Sequence, residues 1–167
     1  MSSIQIHFVV VKVPRNMWRL AFVFVVVAAE TVLAISGVQK TLIQAQFVTR
    51  GLSCIKNNPL SLDDINTLKM LKMPSGGSAK CFAACLFKNI GILDDMGKVT
   101  ASGARQSAKQ VFANDEGSLG KVEGLVQECE KVNAENVEDG DKGCDRAALA
   151  FTCLTENGPK YGLDLKF

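Results

Sequence analysis

The sequence is poor in the residues that catalysis and metal binding draw on most. It holds one histidine, His7, and one tryptophan, Trp18, among 167 residues. Both fall in the first 36 residues, so residues 37–167 have neither. Without histidine there is no Ser-His or Cys-His couple and no His-assisted calcium phospholipase site, and the reading is of a non-enzyme. A charge bias is also missing. Residues 37–167 carry sixteen Lys+Arg and sixteen Asp+Glu, and the formal +2 belongs to the first 36 residues. A balance of that kind lacks the basic footprint of a nucleic-acid binder and the cationic face that docks on acidic membranes. The carboxylate pairs Asp63-Asp64, Asp94-Asp95 and Asp115-Glu116 sit at helix starts or turns, where capping accounts for them. Glu138-Asp139-Gly140-Asp141 has the look of a calcium-loop fragment but lacks the spaced ligands and closing Glu. No metal and no cofactor are expected. There is no internal repeat and no convincing strand.

What is present begins with a leader. Residues 20–29 form an uncharged apolar run behind Arg15 and Arg19, and small residues around Ala34 and Ser36 supply a cleavage site. That is a secretory signal-peptide pattern. A spanning helix needs roughly 20 apolar residues, and Glu30 interrupts the run too early for a stable membrane anchor. Residues 1–36 are therefore read as the signal peptide, with Met17 as a candidate natural start because Met17-Trp18-Arg19 makes a short basic n-region. Residues 37–167 form the single domain, with a tail at 160–167. All six cysteines, at 54, 81, 85, 129, 144 and 153, lie in that domain. An even count behind a leader predicts three disulfides in an oxidising compartment.

Periodicity predicts an all-α domain. Val38, Leu42, Ala45, Val48, Leu52 and Ile55 step by three and four, the inner face of a first helix that Asn57-Asn58-Pro59 ends. Ser61 and Asp64 open a short second helix as a capping box, with Ile65, Leu68 and Leu71 inward. A third helix runs through Cys81 and Cys85, capped by Ser78 and stopped by Gly91. Thr100 or Ser102 caps a fourth, with Ala104, Ala108, Val111 and Phe112 on its face. Ser118 caps a fifth, with Leu119, Val122, Leu125, Val126, Cys129 and Val132 on one side. Residues 133–142 read as a loop. A sixth helix, from about Gly143 to Glu156, turns Ala147, Ala148, Phe151 and Leu154 inward and stops at Asn157-Gly158-Pro159.

Helix geometry limits the cysteine pairing. Cys81 and Cys85 lie one above the other on one helix with parallel Cβ vectors, which disfavours a bond between them. Each must reach another element, so the third helix is the hub of the domain. Cys144 and Cys153 are roughly 13 Å apart along the sixth helix, too far to bond. Ten of the fifteen connectivities that six cysteines allow remain open on these grounds.

The spacing Cys54-x26-Cys81-x3-Cys85-x43-Cys129-x14-Cys144-x8-Cys153 resembles the insect odorant-binding protein family of the six-cysteine pheromone- and general-odorant-binding kind. The x3 and x8 gaps are the rigid part of that pattern. The text around them is similar too: Cys-Phe-x-x-Cys-Leu-Phe, then Gly91-Ile92-Leu93-Asp94-Asp95-x-Gly97-Lys98-Val99. The x43 gap is long and predicts an extended loop between the fourth and fifth helices. The resemblance implies six helices around an apolar cavity and disulfides 54–85, 81–144 and 129–153. It implies a secreted carrier of a small apolar volatile or lipid-like ligand through lymph toward a chemosensory receptor, with a homodimer as one assembly. The candidate lining residues are Leu52, Ile55, Leu68, Leu71, Leu86, Ile90, Val111, Phe112, Leu125, Val126, Phe151, Leu154 and Phe167. Leu163, Leu165 and Phe167 are apolar enough to fold back as a lid, and the tail's only acids, Asp164 and the terminal carboxylate, would release it below roughly pH 5. Two alternatives stand beside this reading: a non-olfactory carrier of the same fold, and a saposin-like lipid-interacting protein, whose cysteines pair in nested order.

Overall fold

The structure, a computed structural model, describes residues 37–113 and 115–163, without the side chain of Lys40. The signal peptide expected at 1–36 and residues 164–167 of the tail lie outside the described residues. Six α-helices follow in order: α1 Gly37–Ile55, α2 Leu62–Lys69, α3 Gly77–Asn89, α4 Ala101–Phe112, α5 Glu116–Cys129 and α6 Cys144–Asn157. Short 3₁₀ turns at Glu130–Ala134, Gly140–Lys142 and Gly158–Tyr161 accompany them among the described residues. The only pairing of strand type among the described residues is an isolated antiparallel bridge between Leu93 and Val99.

Three disulfides hold the helices together: Cys54–Cys85 joins α1 to α3, Cys81–Cys144 joins α3 to α6, and Cys129–Cys153 joins α5 to α6. α3 thus carries two bonds to two different elements. It packs along α6 while α4 packs along α5. The interface of α3 with α6 is built from small buried residues, Ala83 and Ala84 on one side and Ala147 and Ala150 on the other. Residues of that size let two helices approach closely.

Each helix start has its own device. At α2, Ser61 Oγ accepts from the Asp64 amide at 3.1 Å while the Asp64 carboxylate accepts from the Ser61 amide at 2.9 Å, a complete capping box. At α3 the N-cap is Gly76, not Ser78, whose hydroxyl donates to the Pro59 carbonyl at 2.7 Å and ties α3 to the α1–α2 connection. At α5 the cap is Asp115, which accepts from the Ser118 amide at 3.2 Å, so Ser118 is the capped residue rather than the cap. α4 has no side-chain cap from Thr100 or Ser102. Its Ala101 amide donates instead to Glu130 Oε1 at 2.8 Å, a carboxylate 29 residues ahead in sequence. At α6, Asp139 Oδ2 accepts from the amides of Cys144 at 2.5 Å and Asp145 at 3.2 Å.

Two further expectations are corrected. No long loop separates α4 from α5: α4 ends at Phe112 and α5 begins at Glu116, because the residues between Cys85 and Cys129 are spent on helix and on the 90–100 connection. That connection is held by Asn133, whose side chain donates to the Val99 carbonyl at 2.9 Å and accepts from the Val99 amide at 2.8 Å. The second correction concerns α1. Val38, Leu42, Val48, Leu52 and Ile55, the stripe expected inside, are exposed, Val38 at 72% and Leu52 at 64%. The opposite face, with Phe47, buried Gly51 and fully buried Cys54, packs inward. α1 has two apolar faces, and the bond from Cys54 to Cys85 decides which of them points in. Gly51 lies on that inner face against the Phe82 ring.

Candidate functional site

Between α1, α3, α4, α5 and α6 lies a cavity of about 370 Å³, within the range that small-molecule sites occupy. α4 turns Ala104 and Ala108 toward it, and side chains that small leave volume unfilled. Phe87 from α3, Val122, Leu125 and Val126 from α5, and Phe151 and Leu154 from α6 form the apolar walls. Ile90 and Ile92 flank Gly91, which ends α3 with φ +73, a backbone angle that favours glycine. The wall contains no charged side chain. Its polar groups are Gln46, Ser107 and Thr155. Thr155 Oγ1 donates to the Thr152 carbonyl at 3.0 Å and keeps acceptor capacity toward the cavity. Every cysteine among the described residues is in a disulfide, and no group of ligands suited to a metal occurs among them.

Six helices stapled in the order 54–85, 81–144 and 129–153 around an apolar space are the setting for the comparison with known proteins. The sequence profile of the PBP/GOBP family matches residues 39–157. The chain belongs to the PBP/GOBP family. It is 28% identical over 119 residues to general odorant-binding protein 28a of Drosophila melanogaster, covering 71% of this chain and 80% of that one. To general odorant-binding protein 19d of the same fly it is 29% identical over 104 residues, 62% of this chain and 66% of that protein. The solved structure of odorant-binding protein dmelOBP28a from Drosophila melanogaster aligns with TM-score 0.55 and 29% identity, covering 75% of this chain and 98% of that one. PBP/GOBP proteins are ligand-binding carriers at the level of the family, and binders rather than enzymes.

Of the thirteen lining residues expected, the PBP/GOBP cavity of this chain brings together Leu71, Ile90, Val111, Phe112, Leu125, Val126, Phe151 and Leu154. Leu52 and Ile55 do not line it, because they lie on the outer face of α1. Leu68 and Leu86 do not line it either. Leu86 is buried, but Phe87, the next residue round α3, is the one that faces the space. Phe167 lies outside the described residues. The lining also has members that were not anticipated: Ile43, Gln46 and Phe47 of α1, Ser107 of α4, Thr155 of α6 and Gly162 of the tail; Leu163, one of the tail residues expected to fold back, lines it as well. The α1 residues have a signal in retrospect, since Ile43, Phe47 and Cys54 share one helix face at spacings of four and seven.

The tail is fastened where it meets the cavity. Leu163 is buried, and its amide donates to the Gly158 carbonyl at 3.0 Å. Two residues earlier the Tyr161 hydroxyl donates to Glu128 Oε2 at 3.0 Å, and Lys160 Nζ stands 3.6 Å from Glu128 Oε1. The Glu128 carboxylate holds the Tyr161 phenol above its usual pKa, because ionising the phenol would break the bond and set two negative charges together. The Tyr161 ring lies over Gly124, where a Cβ would come within 3.0 Å of it.

Proposed function

We propose that the protein is a secreted carrier that takes a small apolar ligand, of the odorant or pheromone kind, into this cavity and moves it through aqueous lymph to chemosensory receptors. The observation that carries the reading is the unfilled apolar space at the meeting of five helices, in a chain of the PBP/GOBP family. A cavity costs stability. Three disulfides, each worth about 2–4 kcal/mol, offset that cost and keep the walls apart when the space is empty. A ligand burying about 300 Å² gains roughly 7 kcal/mol before losses. Micromolar binding, about −8 kcal/mol, then needs good shape fit or one polar contact, and breadth of specificity follows from an apolar wall. The leader pattern at 1–36 supports secretion, and no described helix is long and apolar enough to cross a membrane. A pairing of 54–85, 81–144 and 129–153 is not the nested order a saposin-like chain needs, and family membership takes the place of that alternative. A carrier of the same fold in glands or body fluids is the remaining rival, and tissue localisation separates the two.

Displacement of an environment-sensitive naphthylamine dye tests the reading. Long-chain alcohols, esters and aromatic volatiles should compete at micromolar concentration. If none of them displaces the dye, the carrier reading fails.

A further inference from the structure

One cation stands one turn of α1 from the cavity wall with no carboxylate beside it. Arg50 follows Gln46 by one turn on the inward face of α1, and Gln46 lines the cavity. The half-buried guanidinium makes two hydrogen bonds, both to neutral acceptors: Nη1 to the Asn89 carbonyl at 2.5 Å and Nη2 to Gln110 Oε1 at 3.2 Å. Each acceptor is the chain neighbour of a lining residue, Asn89 of Ile90 and Gln110 of Val111. Gln46 Nε2 donates to the same Gln110 Oε1 at 3.3 Å, so hydrogen bonds run from Arg50 through Gln110 to Gln46 in the cavity wall. No carboxylate among the described residues pairs with Arg50, in contrast to Lys80, Arg105 and Lys160, each of which has one.

A guanidinium has five N–H donors, and two are used here. Three remain where the neighbours supply dipoles but no negative charge. Carboxylates are the acceptors that the guanidinium fork suits best. A cation without a carboxylate partner close to an apolar space matches a ligand with one negative charge and one apolar chain. We propose that the preferred cargo is a carboxylate amphiphile of the fatty-acid class, its chain in the cavity and its head group on Arg50; the proposal rests on the carrier reading and names the ligand class for it.

The test compares dodecanoate, its methyl ester and dodecanol as competitors for the dye at neutral pH, on the wild-type protein and on Arg50→Gln and Arg50→Lys. A charge-assisted contact at a half-buried guanidinium predicts that dodecanoate binds about tenfold more tightly than the other two. Arg50→Gln should erase that advantage and leave the alcohol and the ester unchanged, and Arg50→Lys should keep part of it. Equal binding of all three by the wild-type protein overturns the inference and leaves the carrier reading standing. The inference is overturned equally if Arg50→Gln weakens all three alike, since Arg50 is then only a latch between α1 and the ends of α3 and α4. If no competitor displaces the dye, the carrier reading itself has failed. The wild-type comparison of acid with ester needs no variant, so a misfolded Arg50→Gln protein does not block the answer.

Discussion

Gly91 and Gly103 meet backbone to backbone: a Cβ on Gly103 would stand 2.5 Å from the Gly91 carbonyl oxygen, and one on Gly91 would stand 2.6 Å from that of Gly103. The contact presses the turn after α3 against the side of α4 and so fixes Ile90 and Ile92 in the cavity wall. Backbone on both sides leaves nothing flexible to give way. Gly103→Ala is expected to destabilise the oxidised protein by about 2–3 kcal/mol through overpacking. Gly120→Ala, on an exposed position of α5 with nothing within 4 Å of the new methyl, is expected to stabilise it by about 0.5–1 kcal/mol. Urea denaturation with the disulfides intact reads both. Equal effects would mean that the Gly91–Gly103 approach is not a constraint.

The fastening of the tail predicts a change in ligand release. Tyr161→Phe removes the bond to Glu128 and should speed dissociation of a bound dye severalfold. Deleting residues 161–167 also removes Leu163 from the wall and should weaken retention further. The phenol pKa is raised in the folded protein, so its contribution is present below about pH 10 and is lost as pH rises through the folded value. Stopped-flow dissociation that is the same for wild type and Tyr161→Phe would show that packing alone holds the tail.

Acid should act first on the helix caps. Hydrogen bonds from Ser61 hold the Asp64 carboxyl below its usual pKa, and those from Ser118 do the same for Asp115. Because the folded values are depressed, the caps contribute fully above the ordinary carboxylate value of about 4 and lose their contribution as pH falls through the folded ones. Thermal melts should therefore be flat between pH 8 and 5 and decline below about pH 4, and Asp115→Asn, which keeps the acceptor without the charge, should soften the decline. Residues 37–167 contain no histidine, and a step in stability near pH 6 would contradict this assignment.

What the sequence made legible was local. The capping box of Ser61 and Asp64, the stop at Gly91 and the helical faces of α4, α5 and α6 depend on neighbours three or four residues away, and spacing alone finds them. Contacts across the chain were out of reach. The cap of α4 comes from Glu130, and the grip on the 90–100 connection comes from Asn133; neither has a pattern that leads back to Ala101 or Val99. α1 shows the limit most clearly. Its more regular apolar stripe, through Val38, Leu42 and Leu52, faces outward, because the position of Cys54 outranks periodicity. The cavity wall was readable where a single helix face supplied it, as at Val111, Phe112, Leu125 and Val126. It was unreadable where the choice lay between adjacent residues, as between Leu86 and Phe87.

The three disulfides run α1 to α3 to α6 to α5 as one covalent ladder. Of the five helices that line the cavity, α4 alone carries no cysteine; it hangs between Cys85 and Cys129 by packing, the Glu130 cap and the ion pairs of Arg105 with Glu116 and Glu123. Oxidation therefore joins four of the lining helices into one covalent frame and leaves α4 as the wall held to it without a cross-link. Opening at α4 breaks packing, hydrogen bonds and ion pairs but no covalent bond, while the cross-linked helices stay joined. The wall that Ala104 and Ala108 form is thus the one that can part from the cavity without a disulfide breaking.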